Sequence, residues 1–288
     1  KNDTTQLHSM GLNPGAISSL VMKAIYEYCK KYKPEKLALL KDGKWGLVCK
    51  DILDIIHISE YDNQEIKKQF NKNIFRNSWS CLGFISEALS PSFVASDKPI
   101  LGYKKSKYNK HIYYSPKLRS MDVFAKSICL DTNGEPFEIF GRCITHFEVV
   151  SLSEKLGYGK YTPKISYVYN SCPISNLGLE SIKEANYKEP PKSEVFFQPD
   201  IINKTSFDSM GALLQFKDGC RWWCGTVLDN NEVMRIFGKN CKSNATQLQV
   251  SISVLAGVEW IMKHRNEDLI TAEEIPVSYT HLTLPTKA

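Results

Sequence analysis

The segment Asp54-Ile55-Ile56-His57-Ile58-Ser59-Glu60 places three isoleucines within four positions and carries neither glycine nor proline. β-Branched side chains are stiff and crowded on a helix but pack well on a pleated surface, so the run reads as a short buried strand. Glu60 emerges at its C-terminal end, which is where α/β proteins keep their ligands.

Outward from this strand the pattern changes period. Asn13-Pro14-Gly15 is followed by Ile17, Leu20, Val21, Ala24, Ile25 and Tyr28 at helical spacing, which predicts an amphipathic helix with Asn13 as its cap. Asn77-Ser78-Trp79 precedes Leu82, Phe84, Ile85 and Ala88, which predicts a turn feeding a helix that carries Glu87. Further on, strands are expected at 112–114, 123–130 and 137–145, the last two flanking the hairpin signal Asp131-Thr132-Asn133-Gly134. A helix at 146–156, a strand at 165–169 and a helix at 176–185 lead to the Pro190-Pro191 break. Strands at 210–216 and 222–228 bracket Lys217-Asp218-Gly219, and helices follow at 232–237 and 245–264, with Asn244 and Gln247 as a capping box. Strands and helices mix without a regular βαβ repeat, so the expected class is α+β rather than a doubly wound sheet. No Gly-x-Gly-x-x-Gly, Walker, His-Glu-x-x-His or Gly-x-Ser-x-Gly pattern occurs, and the usual signatures of nucleotide, zinc and serine chemistry are missing.

Composition narrows the class further. The 288 residues are 42% hydrophobic and 24% charged, an ordinary globular balance. No stretch reaches the roughly 18 apolar residues of a membrane span, and no signal pattern opens the chain, so secretion and membrane insertion are not expected. The nine cysteines lack zinc or redox spacing and read as reduced thiols of a cytoplasmic protein, with no metal site expected. The net charge is +6, and residues 104–119 mix six lysines and arginines with tyrosines, as single-strand nucleic-acid binders do. Because Lys is abundant along the whole chain, this stretch reads as a solvated hairpin and no nucleic-acid partner is expected. Residues 277–286 resemble a reading frame through a transposase sequencing adaptor, so they, with Tyr279 and His281, are set aside as non-native.

Six ordered segments carry a family resemblance: Asn13-Pro14-Gly15, His57-Ile58-Ser59-Glu60, Trp79 to Glu87, Thr145-His146-Phe147-Glu148, Asp208-Ser209-Met210-Gly211, and Asn244-Ala245-Thr246-Gln247-Leu248-Gln249-Val250 with Val254-Leu255-Ala256-Gly257. Over about residues 8 to 275 the chain resembles the bacterial homospermidine synthases, which are similar in fold to saccharopine dehydrogenases. The resemblance implies the end of a Rossmann domain at 1–80, a substrate-binding α+β domain with mixed sheet and packed helices at 81–276, and the adaptor-like tail at 277–288. It also implies NAD as cofactor, with the phosphate-binding loop upstream of Lys1 and a C-terminal tail beyond Ile275, so that this chain alone is expected to be inactive. The implied reaction joins two putrescines into homospermidine with release of ammonia, through imine intermediates and an internal hydride transfer. A homodimer is the implied assembly, for which Leu248, Ile252, Leu255 and Ile261 on the last helix are candidates beside a plain core role.

A diammonium substrate calls for carboxylates and an aromatic face, because an unpaired ammonium in a closed pocket is costly. The resemblance assigns Glu60 and Glu87 as acidic contacts, Trp79 as the indole face and His146 as a neutral imidazole exchanging protons near pH 7. It adds Asn13, Glu148 and Asp208 as substrate contacts, and Asn13 with Pro14 as cofactor contacts. From the residues alone, surface charge for the glutamates, core packing for Trp79, capping for Asn13, a structural role for His146 and a turn role for Asp208 stay open. The chain departs from the family at Tyr169-Asn170-Ser171-Cys172, where Pro173 and Ile174 stand in place of acidic residues, and at Met10 and Leu12 near the pocket rim. Two alternatives remain. An imine-reducing dehydrogenase of the saccharopine or carboxyspermidine type would need pocket arginines for a carboxylate; a basic nucleic-acid-binding module would need a continuous basic face.

Overall fold

The structure, a computed structural model, describes residues 4–66, 71, 73–190, 192–197, 206–238 and 240–275. The adaptor-like tail lies outside them. In chain order the elements are β1 (Gln6–His8), α1 (Ala16–Tyr32), α2 (Leu37–Lys41), α3 (Trp45–Ile52), β2 (Leu53–Asp62), β3 (Ile74–Asn77), α4 (Cys81–Leu89), β4 (Pro91–Ala95), β5 (Lys104–Lys105), β6 (Ile112–Arg119), β7 (Phe124–Leu130), β8 (Pro136–Cys143), α5 (Phe147–Lys155), β9 (Lys164–Asn170), α6 (Pro173–Glu184), β10 (Lys192–Val195), β11 (Phe207–Phe216), β12 (Arg221–Asp229), α7 (Asn230–Phe237), α8 (Ala245–Lys263) and β13 (Leu269–Thr271).

One mixed sheet organises the molecule, in the order β12-β11-β2-β9-β4-β6-β5, with β8 pairing β9 and β7. The isoleucine-rich strand is central: β2 pairs antiparallel with β11 and parallel with β9. Because side chains alternate across a sheet, register decides which residues meet. On one face, Ile58 lies between Tyr167 and Ala212, Glu60 between Tyr169 and Met210, and Asp62 beside Asp208. This face therefore begins in a core of Ile56, Ile58, Ala212 and Leu214, covered by α1, α3 and α5, and turns polar toward the carboxyl end of β2. Burying each isoleucine contributes about 1.5–3 kcal/mol, which fixes the register and with it the position of Glu60. The opposite face is covered by the β7–β8 hairpin, whose Cys129 and Ile139 cluster with Val168 of β9, with Tyr61 and Phe137 beside them.

The α+β reading holds, and most strand and helix expectations lie within a few residues of the observed elements. Two differences bear on the site. β2 runs two residues past Glu60, to Asp62, so the glutamate lies within the strand. Asn13 does not cap α1: the cap position is Gly15, with no side-chain bond, and Asn13 stands behind a cis peptide to Pro14 with its amide turned to Glu60. The hairpin signal at 131–134 closes as expected, with Asp131 Oδ1 accepting from the amides of Asn133 and Glu135, each at 2.8 Å, and Gly134 at φ 88°. Residue 80, the expected domain division, falls within this body, since β2 from one side of it is flanked in the sheet by β9 and β11 from the other.

Residues 104–119 form the short β5–β6 hairpin and its flank. The tyrosines in and beside this stretch share no stacking surface: Tyr113 is buried, Tyr103 just before it bonds Ser92 at 3.1 Å, and Tyr108 stands exposed beneath Lys107. No helix among the described residues is long and apolar enough to cross a membrane.

Candidate active site

Where the central face turns polar, a cavity of ≈ 620 Å³ opens between the sheet, α4, α5 and the first turns of α8. β2 presents Glu60, β9 presents Tyr167 and Tyr169, and β11 presents Met210. Trp79 comes from the turn before α4, where Ser80 caps the helix by accepting from Gly83 N at 3.1 Å, and Glu87 comes from the helix itself. His146 stands at the cap position of α5, and Asn13, Pro14, Val195, Phe197, Thr246, Gln247 and Val250 complete the lining.

Glu60 accepts hydrogen bonds from the Tyr167 hydroxyl and from Asn13 Nδ2, the latter at 3.2 Å. Burial nevertheless raises its carboxyl to about 7, with the Asp62 charge adding to the rise while Tyr167, Asn13 and His146 oppose it. Glu87 is raised to about 7 by burial, with Glu148 adding and the His146 charge opposing. Trp79 donates from Nε1 to the Tyr169 hydroxyl at 2.9 Å and packs against Phe84, so one edge of the indole is anchored. His146 stacks on Tyr167 with ring centroids 4.5 Å apart. Burial alone would lower its imidazole, but Glu148, by charge and by its hydrogen bond to Nδ1, together with the charges of Glu87 and Glu60, raises it to about 9. The expected neutral imidazole is thus corrected to an imidazolium held against a carboxylate.

The structure brings Asn13, Pro14, Glu60, Trp79, Glu87 and His146 around one space. It does not bring Glu148 or Asp208 there, which corrects the expectation of direct contact for both. Glu148 is fully buried behind the histidine, taking Gly15 N at 3.1 Å on one oxygen and His146 on the other. Asp208 is fully buried beside Asp62; its Oδ2 accepts from Gln249 Nε2 at 2.8 Å while its Oδ1 has no partner. Burial, with the charges of Glu60 and Asp62, holds its carboxyl well above the usual range, under the floor of the cavity.

Sequence reading missed Tyr167 and Tyr169, although the alternation Ile165-x-Tyr167-x-Tyr169 puts them on one face. That β9 lies beside β2 is a long-range fact no local signal carries. The departures from the family pattern do not reach the cavity. Pro173 opens α6, Cys172 and Ile174 pack with Ile66 and Phe196, and Leu12 and Met10 are absorbed into cores.

Among the described residues no group of three or more His, Cys, Asp or Glu side chains is arranged for a metal. The α1 mouth does not fit a dinucleotide pyrophosphate either, because its amides are already used. Gly15 N goes to Glu148, and Ala16 N and Ile17 N bond the carbonyls of Gly11 and Leu12 at 2.9 Å each. Asn13 and Pro14 offer a polar edge to a nicotinamide ring at most.

Among the described residues the half-closed space is lined by two glutamates, an indole and a histidine backed by Glu148, and by no arginine, an arrangement able to hold an organic cation. The comparisons specify the class. No family model matches the chain. A homospermidine synthase of Mesorhizobium japonicum is 27% identical over 285 residues, covering 94% of this chain and 57% of that protein. One of Blastochloris viridis is 24% identical over 279 residues with the same coverage, 94% and 57%. The crystal structure of the homospermidine synthase of Legionella pneumophila in complex with NAD matches with a TM-score of 0.83 and 26% identity, over 97% of this chain and 61% of that one. The chain is a homologue of the homospermidine synthases and has their fold, and it spans 57% of the length of the curated relatives it matches.

Proposed function

We propose that this chain is the substrate-handling part of a NAD-dependent homospermidine synthase, which converts two putrescines into homospermidine and ammonia. The observation that carries the reading is the facing of Glu60 and Glu87 into one cavity walled by Trp79. One ammonium of a bound putrescine pairs with a carboxylate while its neighbouring carbon lies against the indole, whose face contributes roughly 0.5–2 kcal/mol to a cation. NAD, when bound, supplies the hydride acceptor that becomes the donor again within the same cycle. With Asn13 and Pro14 at its edge, the nicotinamide would supply removal and return of a hydride at the carbon bearing nitrogen, between which the amine of a second putrescine would replace ammonia there. Two C4 diamines thus give one C8 triamine plus ammonia without net oxidation.

The chain's own residues bind and move protons in this scheme. Glu60 and Glu87, poised near 7, deprotonate the attacking amine and stabilise the iminium charge. His146, held protonated by Glu148, returns a proton to the departing ammonia. Glu148 and Asp208 act from behind the wall, through His146 and through the Glu60–Asp62 charge pair. Asn13 orients Glu60 and, with Pro14, faces the nicotinamide. The nine free thiols support a reducing, cytoplasmic setting, and the exposed Leu255 face of α8 supports a homodimer.

The test is to incubate the full-length gene product with NAD and putrescine and to follow homospermidine and ammonia, with Trp79→Ala and Glu87→Gln beside it. The reading expects homospermidine without accumulation of NADH, reduced at least tenfold in both variants. NADH that accumulates only with an N-alkyl amino acid as substrate would replace it with the dehydrogenase reading, for which Lys242 is the one lysine or arginine among the described lining residues.

A further inference from the structure

The segment Asn244-Ala245-Thr246-Gln247 opens α8, and its side chains do more than a helix start requires. Capping needs one acceptor, and Asn244 Oδ1 supplies it by taking Gln247 N at 2.9 Å. The rest of the amide faces the other way: Nδ2 donates to the carbonyl of Ser78 at 2.6 Å and to that of Phe196 at 3.0 Å. In a capping box the Gln247 side chain would turn back to the cap residue. Here its Nε2 donates instead to the same Ser78 carbonyl, at 3.0 Å.

Ser78 is the residue before Trp79, and Phe196 is the residue before Phe197, so the two carbonyls belong to two adjacent backbones that each present an aromatic side chain to the cavity. Ser78 is fixed from its other side as well, its Oγ donating to Asp62, while Phe196 N donates to the Asn77 carbonyl at 3.0 Å. The Ser78 carbonyl, which joins directly to Trp79, thereby accepts from two side-chain amides of the α8 start. The indole itself is held at its far edge by Tyr169.

We propose that Asn244 and Gln247 are positioning residues that set the plane of Trp79 and its separation from the Phe197 wall, and so orient the organic cation in the cavity. The substrate part of this statement rests on the function proposed above; the placement of Trp79 does not. Neither residue needs to touch reacting atoms. Their amides act through the Ser78 carbonyl, whose displacement would tilt the indole relative to Glu60 and Glu87.

Two variants separate this from plain capping. Asn244→Ser keeps a cap acceptor and removes both donors, while Gln247→Met keeps the chain length, loses one donor and leaves Asn244 in place. The protein is labelled with 5-fluorotryptophan, and the Trp79 resonance is identified among the five tryptophans by its loss in Trp79→Phe. The expected result is that both variants shift or broaden the Trp79 resonance while the other four stay in place, and that putrescine affinity by calorimetry falls about tenfold, the scale of a lost buried hydrogen bond. If Asn244→Ser does not fold, Gln247→Met decides alone, since Ser78 keeps its Asn244 bond. A Trp79 resonance unmoved in the folded variants overturns the proposal and leaves the segment a helix cap. Should the unsubstituted protein fail to bind putrescine, the function reading falls while the fluorine signal still decides the positioning role.

Discussion

Glu60 and Glu87 share a raised pKa for one cause, burial of a charge, whereas His146 is raised against its own burial by three carboxylates. The signs give a pH window. A synthase using anionic glutamates and a protonated imidazole should show kcat/KM rising as pH passes about 7 and falling past about 9. These limbs belong to the coupled set rather than to single residues. Glu148→Gln removes the main support of the imidazolium, so the alkaline limb should move toward neutrality, which a pH–rate profile and the imidazole proton resonances both read. Stability follows the same signs. Each glutamate is raised from 4.5 in the unfolded chain to about 7 when folded, so its contribution is whole below pH 4.5 and is lost as pH rises through about 7. His146 contributes fully below 6.5 and loses its contribution as pH rises through about 9. Urea unfolding of Glu87→Gln should accordingly show a shallower decline between pH 5 and pH 7.5 than the parent protein. The residues of this site were legible through the six ordered segments that resemble the homospermidine synthases, since from the residues alone surface charge and core packing stayed open. The layering of Glu148 behind His146, and of Asp208 under the floor, was not, since both depend on which strands pair.

At the scale of elements, close approaches set what each turn tolerates. Gly15 sits at φ 142°, and a Cβ there would meet the Gly11 carbonyl at 2.5 Å and the Ser9 carbonyl at 2.7 Å. Gly15→Ala should therefore cost at least about 2 kcal/mol by urea unfolding, because strained backbone and overpacking add. On β11, a Cβ on Gly211 would lie 2.3 Å from the Trp223 ring and 2.6 Å from the Cys224 carbonyl. Gly211→Ala should lower the melting temperature by several degrees through displacement of Trp223. The long elements were readable because their apolar periods are strong: α1 and β2 both follow from isoleucine and leucine spacing. The short strands β3, β4 and β10 were not, because four or five residues without apolar–polar alternation gain their structure from a neighbouring strand rather than from their own sequence. The cap at Asn13 failed for a related reason. A polar residue before a helix has two uses for its amide, and here a buried carboxylate competes successfully for it.

At the scale of the molecule, the sheet couples the chain across residue 80. Residues 81–275 produced alone would lack β2 and leave β9 and β11 without their shared neighbour, so they should be insoluble or unfolded. The whole chain should instead unfold in one transition, with far-UV circular dichroism and tryptophan fluorescence coinciding. The α+β class was visible from the absence of a βαβ repeat, but the placement of the two ends was not. β1 and β13 lie parallel and in register from Gln6↔Leu269 to His8↔Thr271, and Ser19 Oγ adds a bond to the Ala272 carbonyl at 2.6 Å. The chain enters this pair at one extremity and leaves it at the other. A pull applied to the two ends would therefore slide the strands past each other and load all their bonds together rather than peel them one by one. Against such a pull the junction would act as a mechanical clasp.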